Sequence, residues 1–581
     1  MKIVGLNFFH ADTSSAIIID NKLIAAAEEE RFSRIKHFSG FPVKSLNFCL
    51  KEARLKIDDV DYISVNTNPY YNFFSKLKFS LKNLNNINII QRIERIRLRR
   101  NINKYLYWYF GSTKKVKLNF VPHHLSHNCS SILTSGLDDG LSISFDAAGD
   151  FSTLEVYEFK QNNFIKLHSE QFPHSLGILY QSITQYLGFK DYGDEYKVMG
   201  LAAYGQPCYI KELETLFNYN QNNFRLNLEY FQHHIVGFNF NFTNDYPYFT
   251  DLYSKKLINL LGEDRKSNEK ILQRHKDIAC SLQVVFQKLF NEIVSYFKNK
   301  TGHKNLFLSG GCAFNALNNK YIGEKNNFEK IHIFPNSGDA GGGFGSALYT
   351  NFKKNKKYKK IKLETMYVGP KEQSNEIEKV LSKKFKNKNE IFNIEKFENK
   401  ESLIKKVAQD LNNGLIIAWH QGRMEFGPRA LGNRSILGNP SISNIKEIIN
   451  SKIKNREDFR PFAPSILKEF ADEYFILNTN LDYRFMNVIC DTKKDKRNLI
   501  PGVINIDNTS RPQIVDKNDN EVYYNLIEEF YKMSKVPILL NTSLNIQEPI
   551  CCSSEDTVNT FLNSGIDIMA IENFYIRRNS I

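Results

Sequence analysis

The sequence predicts an α/β protein of two domains, the first of them built by internal duplication. Its 581 residues exceed what one typical core organises. A plan of strand, polar turn and returning hairpin appears near the N-terminus as IVGLNFF, HADTSSA, AIIID and LIAAAEEER. It appears again near Leu141 as LSISFD, AAGDFST, LEVYEF and FIKLHSEQF. After the basic stretch FKKNKKYKKI at 352–361, MYVGP restarts a strand pattern that opens a second unit.

Taken in order, the two copies place a cleft between the halves of a duplicated domain, the plan of the actin, Hsp70 and sugar-kinase type. Residues 76–116 interrupt the first copy with Lys and Arg interleaved with apolar residues. They read as inserted surface helices, or as a contact with an anionic membrane or a lipid-linked acceptor. A long helix is expected from about Asn268 to Lys298, because Ile278, Leu282, Val285, Phe286, Leu289, Ile293 and Val294 recur at three- and four-residue steps; it ends near Gly302. Then come a buried strand NLFLSGG, a polar turn CAFNALNN and a strand KIHIFPN. SGDAGGGFGSAL reads as a Gly-rich loop opening a helix, whose first N–H groups favour anions. Its spacing is weakly specific, and no GxxxxGK[ST] motif is present.

Composition narrows the function. The hydrophobic fraction of 42% is that of an ordinary globular chain, and no run of 18 apolar residues predicts a spanning helix. The N-terminus lacks the pattern of a signal peptide. Eight scattered cysteines without CxxC fit reduced thiols, so a cytoplasmic protein is expected. The net charge of +15 comes largely from Lys in a chain also rich in Asn and Ile. That composition bias points to small acidic substrates rather than to nucleic acid.

Two constellations carry chemistry. GRMEFGPRALGNRS and NREDFRPFAP place Arg423, Arg429, Arg434, Arg456 and Arg460 within Gly422–Pro464, several beside Gly or Pro. Guanidinium forks on rigid turns suit a multiply charged anion such as a nucleotide or acyl phosphate; the alternative is a basic surface. HHLSH puts His123 and His127 at i and i+4 of a helix, with His124 and His127 at i and i+3 as a second pairing. Asp146 ends the repeated strand and Asp339 lies in the Gly-rich segment. Converging there, two imidazoles and two carboxylates suit Fe(II), Mn(II) or Zn(II); otherwise the histidines are core or surface residues.

These motifs, with EEERFSRIKH, EYKVMGLAAYG, SGGCAFN, SRPQIV and LNTSLN, run over almost the whole chain. As an ordered set they resemble the O-carbamoyltransferases of the nodulation and tobramycin-tailoring type. The resemblance implies a Kae1-like domain of the actin and Hsp70 superfamily over 1–365 and a YrdC-like α/β domain over 366–581. In that family the YrdC-like domain turns carbamoyl phosphate and ATP, with Mg(II) accompanying the nucleotide, into carbamoyladenylate. The Kae1-like domain then passes the carbamoyl group to an acceptor hydroxyl.

By resemblance, Arg429, Arg460, Arg511 and Asn541 contact nucleotide or carbamoyl phosphate, with Arg423, Arg434, Lys454 and Arg456 in the same motifs. His123, His127, Asp146 and Asp339 match the metal ligands, usually to iron. Lys36, Asp146 and Asn315 match contacts to carbamoyladenylate, and His10 a catalytic histidine near the acceptor. Lys197 and Tyr204 either line the acceptor pocket or support it. The family's NTSFN, two residues and GEPI becomes NTSLNIQEPI here, one residue shorter and without the Gly. The implied acceptor is a small molecule or saccharide. The competing readings are a tRNA threonylcarbamoyladenosine-type modification enzyme and a non-catalytic nucleotide-binding protein. Oligomeric state is left open.

Overall fold

A computed structural model describes residues 1–82, 96–236, 240–241, 246–247, 250–388 and 390–579. Of the basic stretch 76–116, residues 83–95 therefore lie outside the described residues. The chain divides into two units, Met1–Leu363 and Glu364–Ile581, and is a mixed α/β fold.

The first unit holds two five-stranded sheets. In one, β1 (Lys2–Asn7), β2 (Ser14–Ile19), β3 (Lys22–Glu28), β4 (Tyr62–Val65) and β5 (Lys117–Phe120) take the order β3-β2-β1-β4-β5. Here β1–β2 and β2–β3 are antiparallel, while β1–β4 and β4–β5 are parallel. The other sheet is made by β6 (Gly140–Gly149), β7 (Ser152–Lys160), β8 (Asn163–Gln171), β9 (Asn305–Ser309) and β10 (Lys330–Ile333). Its order is β10-β9-β6-β7-β8. Again a hairpin pair is antiparallel and the two later strands are parallel. The echo in the sequence is thus an echo in topology. β1 and β6 sit at the middle of their sheets, and both are buried over most of their length.

The long helix runs Gln273–Thr301, and all seven periodic residues are buried. It stops at Gly302, whose φ of 70° lets the chain leave through the left-handed region. Two expected loops are in fact helical. CAFNALNN forms a 3₁₀ turn, Gly311–Phe314, and then the helix Ala316–Lys325, started by the Asn315 side chain accepting from the N–H of Asn318. The Gly-rich segment lies inside the helix Asp339–Lys354. Its glycines are there for close packing. A Cβ on Gly5 of β1 would sit 2.1 Å from the Gly343 carbonyl oxygen, and one on Gly345 would sit 2.0 Å from that of Ser126. The helix thereby lies against both β1 and the histidine helix, with Asp339 at its first turn.

The second unit is built on an eight-stranded mixed sheet. Its strands are β11 (Phe392–Lys396), β12 (Ile417–His420), β13 (Arg434–Gly438), β14 (Ala463–Leu467), β15 (Gln513–Val515), β16 (Ile538–Ser543), β17 (Ile568–Ile571) and β18 (Phe574–Arg578). The order is β11-β18-β17-β12-β13-β16-β14-β15. Helices Lys400–Asn412 and Glu521–Ser534 pack against each other. Central β12, β13 and β16 are antiparallel neighbours on the one side and bury Trp419, Ile436 and Leu540. The block 421–433 is the connection between β12 and β13, so the arginine motif is a hairpin loop anchored by two fully buried strands.

Candidate active site

In the first unit, the helix His123–Ile132 is buried along its whole length and carries His123 and His127 one turn apart. Their Nε2 atoms lie 3.1 Å apart. Asp146, in β6 where its regular pairing with β7 breaks after Phe145, brings Oδ2 to 3.3 Å from His127 Nε2 and 3.8 Å from His123 Nε2. Asp339 brings Oδ1 to 3.4 Å from each. All four ligand atoms fall within 4.8 Å of one another. Bonds of about 2.0–2.2 Å to one ion separate neighbouring ligand atoms by roughly 3 to 3.5 Å, so the spacing fits a single divalent cation. Asp339 Oδ1 is buried and makes no hydrogen bond, so an acceptor already faces the imidazoles unsatisfied.

Local packing explains why the atoms converge. Glycine at 149 leaves room for the His123 ring, which a Cβ there would overlap at 2.0 Å. Asp150 Oδ2 accepts the main-chain N–H groups of His123 (2.9 Å) and Asn68 (2.7 Å), and Oδ1 accepts from Thr67 Oγ1 (2.6 Å). Asp146 is oriented by the N–H of Ala147 to Oδ1 and of Gly311 to Oδ2. Gly310, at φ 84°, turns the chain so closely that a Cβ would meet the Phe145 carbonyl oxygen at 2.1 Å.

The alternative pairing through His124 does not occur. His124 turns to Ser144, with Nδ1 to Oγ at 2.7 Å, and burial lowers its imidazole to about 4. Burial also opposes charge on His127, but the facing Asp146 and Asp339 carboxylates prevail and lift it to about 9. Both carboxyls are held below the usual range by the facing histidines despite burial, Asp146 by His123 and His127, Asp339 by His10 and His127.

His10 joins this centre: its Nδ1 lies 2.6 Å from Asp339 Oδ2. Lys36 is exposed in the turn before His37. Asn315 has its side chain engaged within the protein, with Oδ1 capping the next helix and the amide exchanging hydrogen bonds with Gln283. Lys197 pairs with Asp194 at 2.7 Å, an internal support. A second carboxylate and imidazole trio, Asp12, Glu30 and His37, is satisfied internally. His37 Nδ1 meets Asp12 Oδ1 at 2.7 Å and its main-chain N–H donates to Glu30.

In the second unit, the loop 421–433 is organised by an acid that the sequence reading passed over. Glu425 Oε1 accepts the N–H groups of Leu431 (2.7 Å), Asn433 (2.9 Å) and Arg434 (3.3 Å). The sign was there to read, since Glu425 is the single carboxylate of GRMEFGPRALGNRS. Arg434 is fully buried. Its guanidinium donates to the carbonyls of Gln421, Gly422 and Asn433, with longer bonds to Pro370 and Cys552. It pins the loop, with its donors turned to main-chain carbonyls. Lys454 is engaged within the protein as well: its buried ammonium donates to the Ser543 carbonyl and to both oxygens of Asn545. Arg423 braces the strand entry through the carbonyls of Gly369 and Val368. Asn541 Nδ2 lies among Ala430 O, Ser465 Oγ and Gln513 Oε1.

Three guanidiniums stand differently. Burial works against charge on Arg511, and the nearby Arg429 and Arg456 add to the strain, with no carboxylate among the main influences. Its Nε is buried without a hydrogen bond. A guanidinium does not deprotonate to relieve this, so the relief available is an anion. Arg456 is steadied from below by Asn450 Oδ1 at 2.8 Å and by the Phe462 ring at 4.6 Å. Arg460 pairs with Glu457 at 2.8 Å.

The comparisons agree with this chemistry. Residues 2–348 match the family described as carbamoyltransferase N-terminus, and 408–578 the carbamoyltransferase C-terminus. An uncharacterized protein of Synechocystis sp. is 33% identical over 99% of this chain and 96% of its own length. Nodulation protein NolNO of Sinorhizobium fredii is 32% identical over 98% of this chain and 80% of its own. Among solved structures, HypF of T. kodakarensis aligns at 14% identity over 61% of this chain and 47% of that one, with a TM-score of 0.31. The chain belongs to the carbamoyltransferase family and is a carbamoyltransferase enzyme.

Proposed function

We propose that the enzyme makes carbamoyladenylate from carbamoyl phosphate and ATP in the C-terminal unit. It then moves the carbamoyl group to a hydroxyl of a small molecule or saccharide in the N-terminal unit. We read residues 1–365 as a Kae1-like domain of the actin and Hsp70 type, for which the repeated strand order of the two sheets speaks, and 366–581 as YrdC-like. The observation that carries the reading is Arg511, buried with its Nε unpartnered and with the like charges of Arg429 and Arg456 nearby, a setting that a polyanion would balance.

The chemistry balances in three steps. Carbamoyl phosphate loses phosphate to water and yields carbamate. A carbamate oxygen attacks the α-phosphorus of ATP, and pyrophosphate leaves with its electron pair. An acceptor hydroxyl then attacks the carbamoyl carbon, and AMP departs. Arg429, Arg456, Arg460 and Arg511 offset charge on the phosphates as it is displaced. Asp339 Oδ2 lies 2.6 Å from Nδ1 of His10; in our reading a proton held at Nδ1 beside that carboxylate leaves Nε2 to take the hydroxyl proton. His123, His127, Asp146 and Asp339 would hold a divalent metal, Fe(II) in our reading, which when bound polarises a carbamoyl or phosphoryl oxygen.

The likeness to NolNO, a nodulation protein, is in keeping with a small-molecule or saccharide acceptor, and the expected compartment is the cytoplasm. No helix among the described residues is long and apolar enough to cross a membrane. The test is pyrophosphate release from ATP with and without carbamoyl phosphate, followed by labelled carbamoyl phosphate, ATP and Fe(II) in a cell extract with mass detection of the added carbamoyl group. Release that ignores carbamoyl phosphate refutes the activation step. Labelled tRNA in place of a small product refutes the acceptor class.

A further inference from the structure

The first unit carries a surface that its chemistry does not use. Helix Phe73–Lys82 has no buried residue. Phe73 is 53% exposed, Phe74 84%, Leu77 45% and Leu81 61%. At about 100° per residue these four fall within an arc of roughly 100°, and Lys78 and Lys82 border that arc on one side. Phe79 points the other way and fastens the helix, its ring 5.6 Å from Phe151 and 5.3 Å from Phe172. An apolar face of this size on an exposed helix marks a contact surface.

Charge says what the contact is. Residues 70–82 and 96–116 contain nine Lys and Arg and no Asp or Glu, in a chain whose net charge is +15. On the helix Ile102–Phe110, Tyr107, Trp108 and Tyr109 are all more than half exposed, with Lys104 Nζ 4.3 Å from the Trp108 ring. Aliphatic and aromatic side chains edged by cations, with Trp and Tyr close by in sequence, match the interfacial layer of an anionic bilayer. Nucleic acid would reward the cations but gain nothing from an exposed Leu77 and Leu81.

We propose that helix Phe73–Lys82 docks the enzyme on an anionic phospholipid membrane, lying in the interface with Phe73, Phe74, Leu77 and Leu81 inserted. The inference is independent of the carbamoyl chemistry above. It is tested by co-sedimenting the full chain with vesicles of phosphatidylcholine alone and of phosphatidylcholine with phosphatidylglycerol. The expected result is binding to the mixed vesicles, weakened by salt, and little binding to the neutral ones. Phe74→Asp with Leu77→Asp should lower the vesicle partition coefficient at least tenfold, since two apolar side chains leave the interface and two anions face its charge. Those positions are exposed, so the thermal midpoint and the pyrophosphate assay should not change. No binding by the wild type, or equal binding by the double variant, overturns the proposal. So does a wild-type dimer that the double variant dissociates, which would assign the face to a second copy. Binding of total tRNA that competes with vesicles and survives the double variant also overturns it.

Discussion

The two polar centres of this chain are built on opposite rules. In the first unit, two carboxylates face two imidazoles inside a buried shell, and the centre is rich in acceptors. In the second, Arg429, Arg456 and Arg511 are brought near one another without a carboxylate to balance Arg511, so that centre is rich in donors. We read each imbalance by its sign, as a place for a cation in the first and for a polyanion in the second. The scaffolds differ accordingly. The acceptor centre is clamped by helices and strand ends that glycines allow to approach closely. The donor centre hangs on a hairpin loop tied to itself through Glu425 and Arg434.

The largest break in the comparison should come from Arg511→Ala. It removes the guanidinium with no protein acceptor for its Nε, and carbamoyl-phosphate-dependent pyrophosphate release should fall by about 10²–10³-fold. The thermal midpoint should hold or rise, because like-charge repulsion is relieved. A loss of stability with activity unchanged would make Arg511 a structural residue.

Next in size is His127→Ala. Bound metal, measured by elemental analysis, should drop to background, and transfer to acceptor should fall more than about a hundredfold. Pyrophosphate release should stay within about twofold of wild type. If both half-reactions fail together, the division of labour between the units is wrong.

A smaller effect is expected for Glu425→Gln, which keeps the shape but weakens three main-chain hydrogen bonds. Stability should fall by about 1–3 kcal/mol, and KM for ATP or carbamoyl phosphate should rise by about tenfold with kcat less affected, because the loop and its Arg429 are loosened. An unchanged KM would mean that Arg429 does not depend on the clamp.

The smallest concerns the internally satisfied trio. Burial opposes charge on His37, but Asp12 and then Glu30 raise its imidazole from 6.5 to about 9. A raised histidine stabilises the fold fully below about pH 6.5, and that contribution is lost as pH climbs through 9. Asp12→Asn should therefore cost about 1–2 kcal/mol near pH 6 and little near pH 9.5, read from denaturant midpoints at the two values. Equal losses at both would show that the pair is not charged.

Much of the site was legible because its chemistry is local in sequence. HHLSH puts two imidazoles one turn apart on any helix, and Asp146 closes a strand that the alternation of LSISFD already marks. The long helix was legible from its seven periodic apolar residues. Less legible were positions whose role depends on distant partners. The run GGGFG looked like a phosphate loop, yet its function is to let a helix lie on β1 and on Ser126. Arg434 looked like its neighbour Arg429, and only the ring of main-chain carbonyls around it separates a pin from a ligand.

What the chain alone determined was the inventory: a repeated strand plan, a helical histidine pair, and a set of arginines on Gly/Pro turns. Periodicity and turn chemistry act over a few residues, so they survive reading one residue at a time. Tertiary structure alone decided which of those groups are left unsatisfied. That depends on atoms far away in the chain, such as Asp339 against His127 at 3.4 Å, or the carbonyls of Pro370 and Cys552 against Arg434. A buried polar group is ready for a ligand only when the fold has not already supplied its partner.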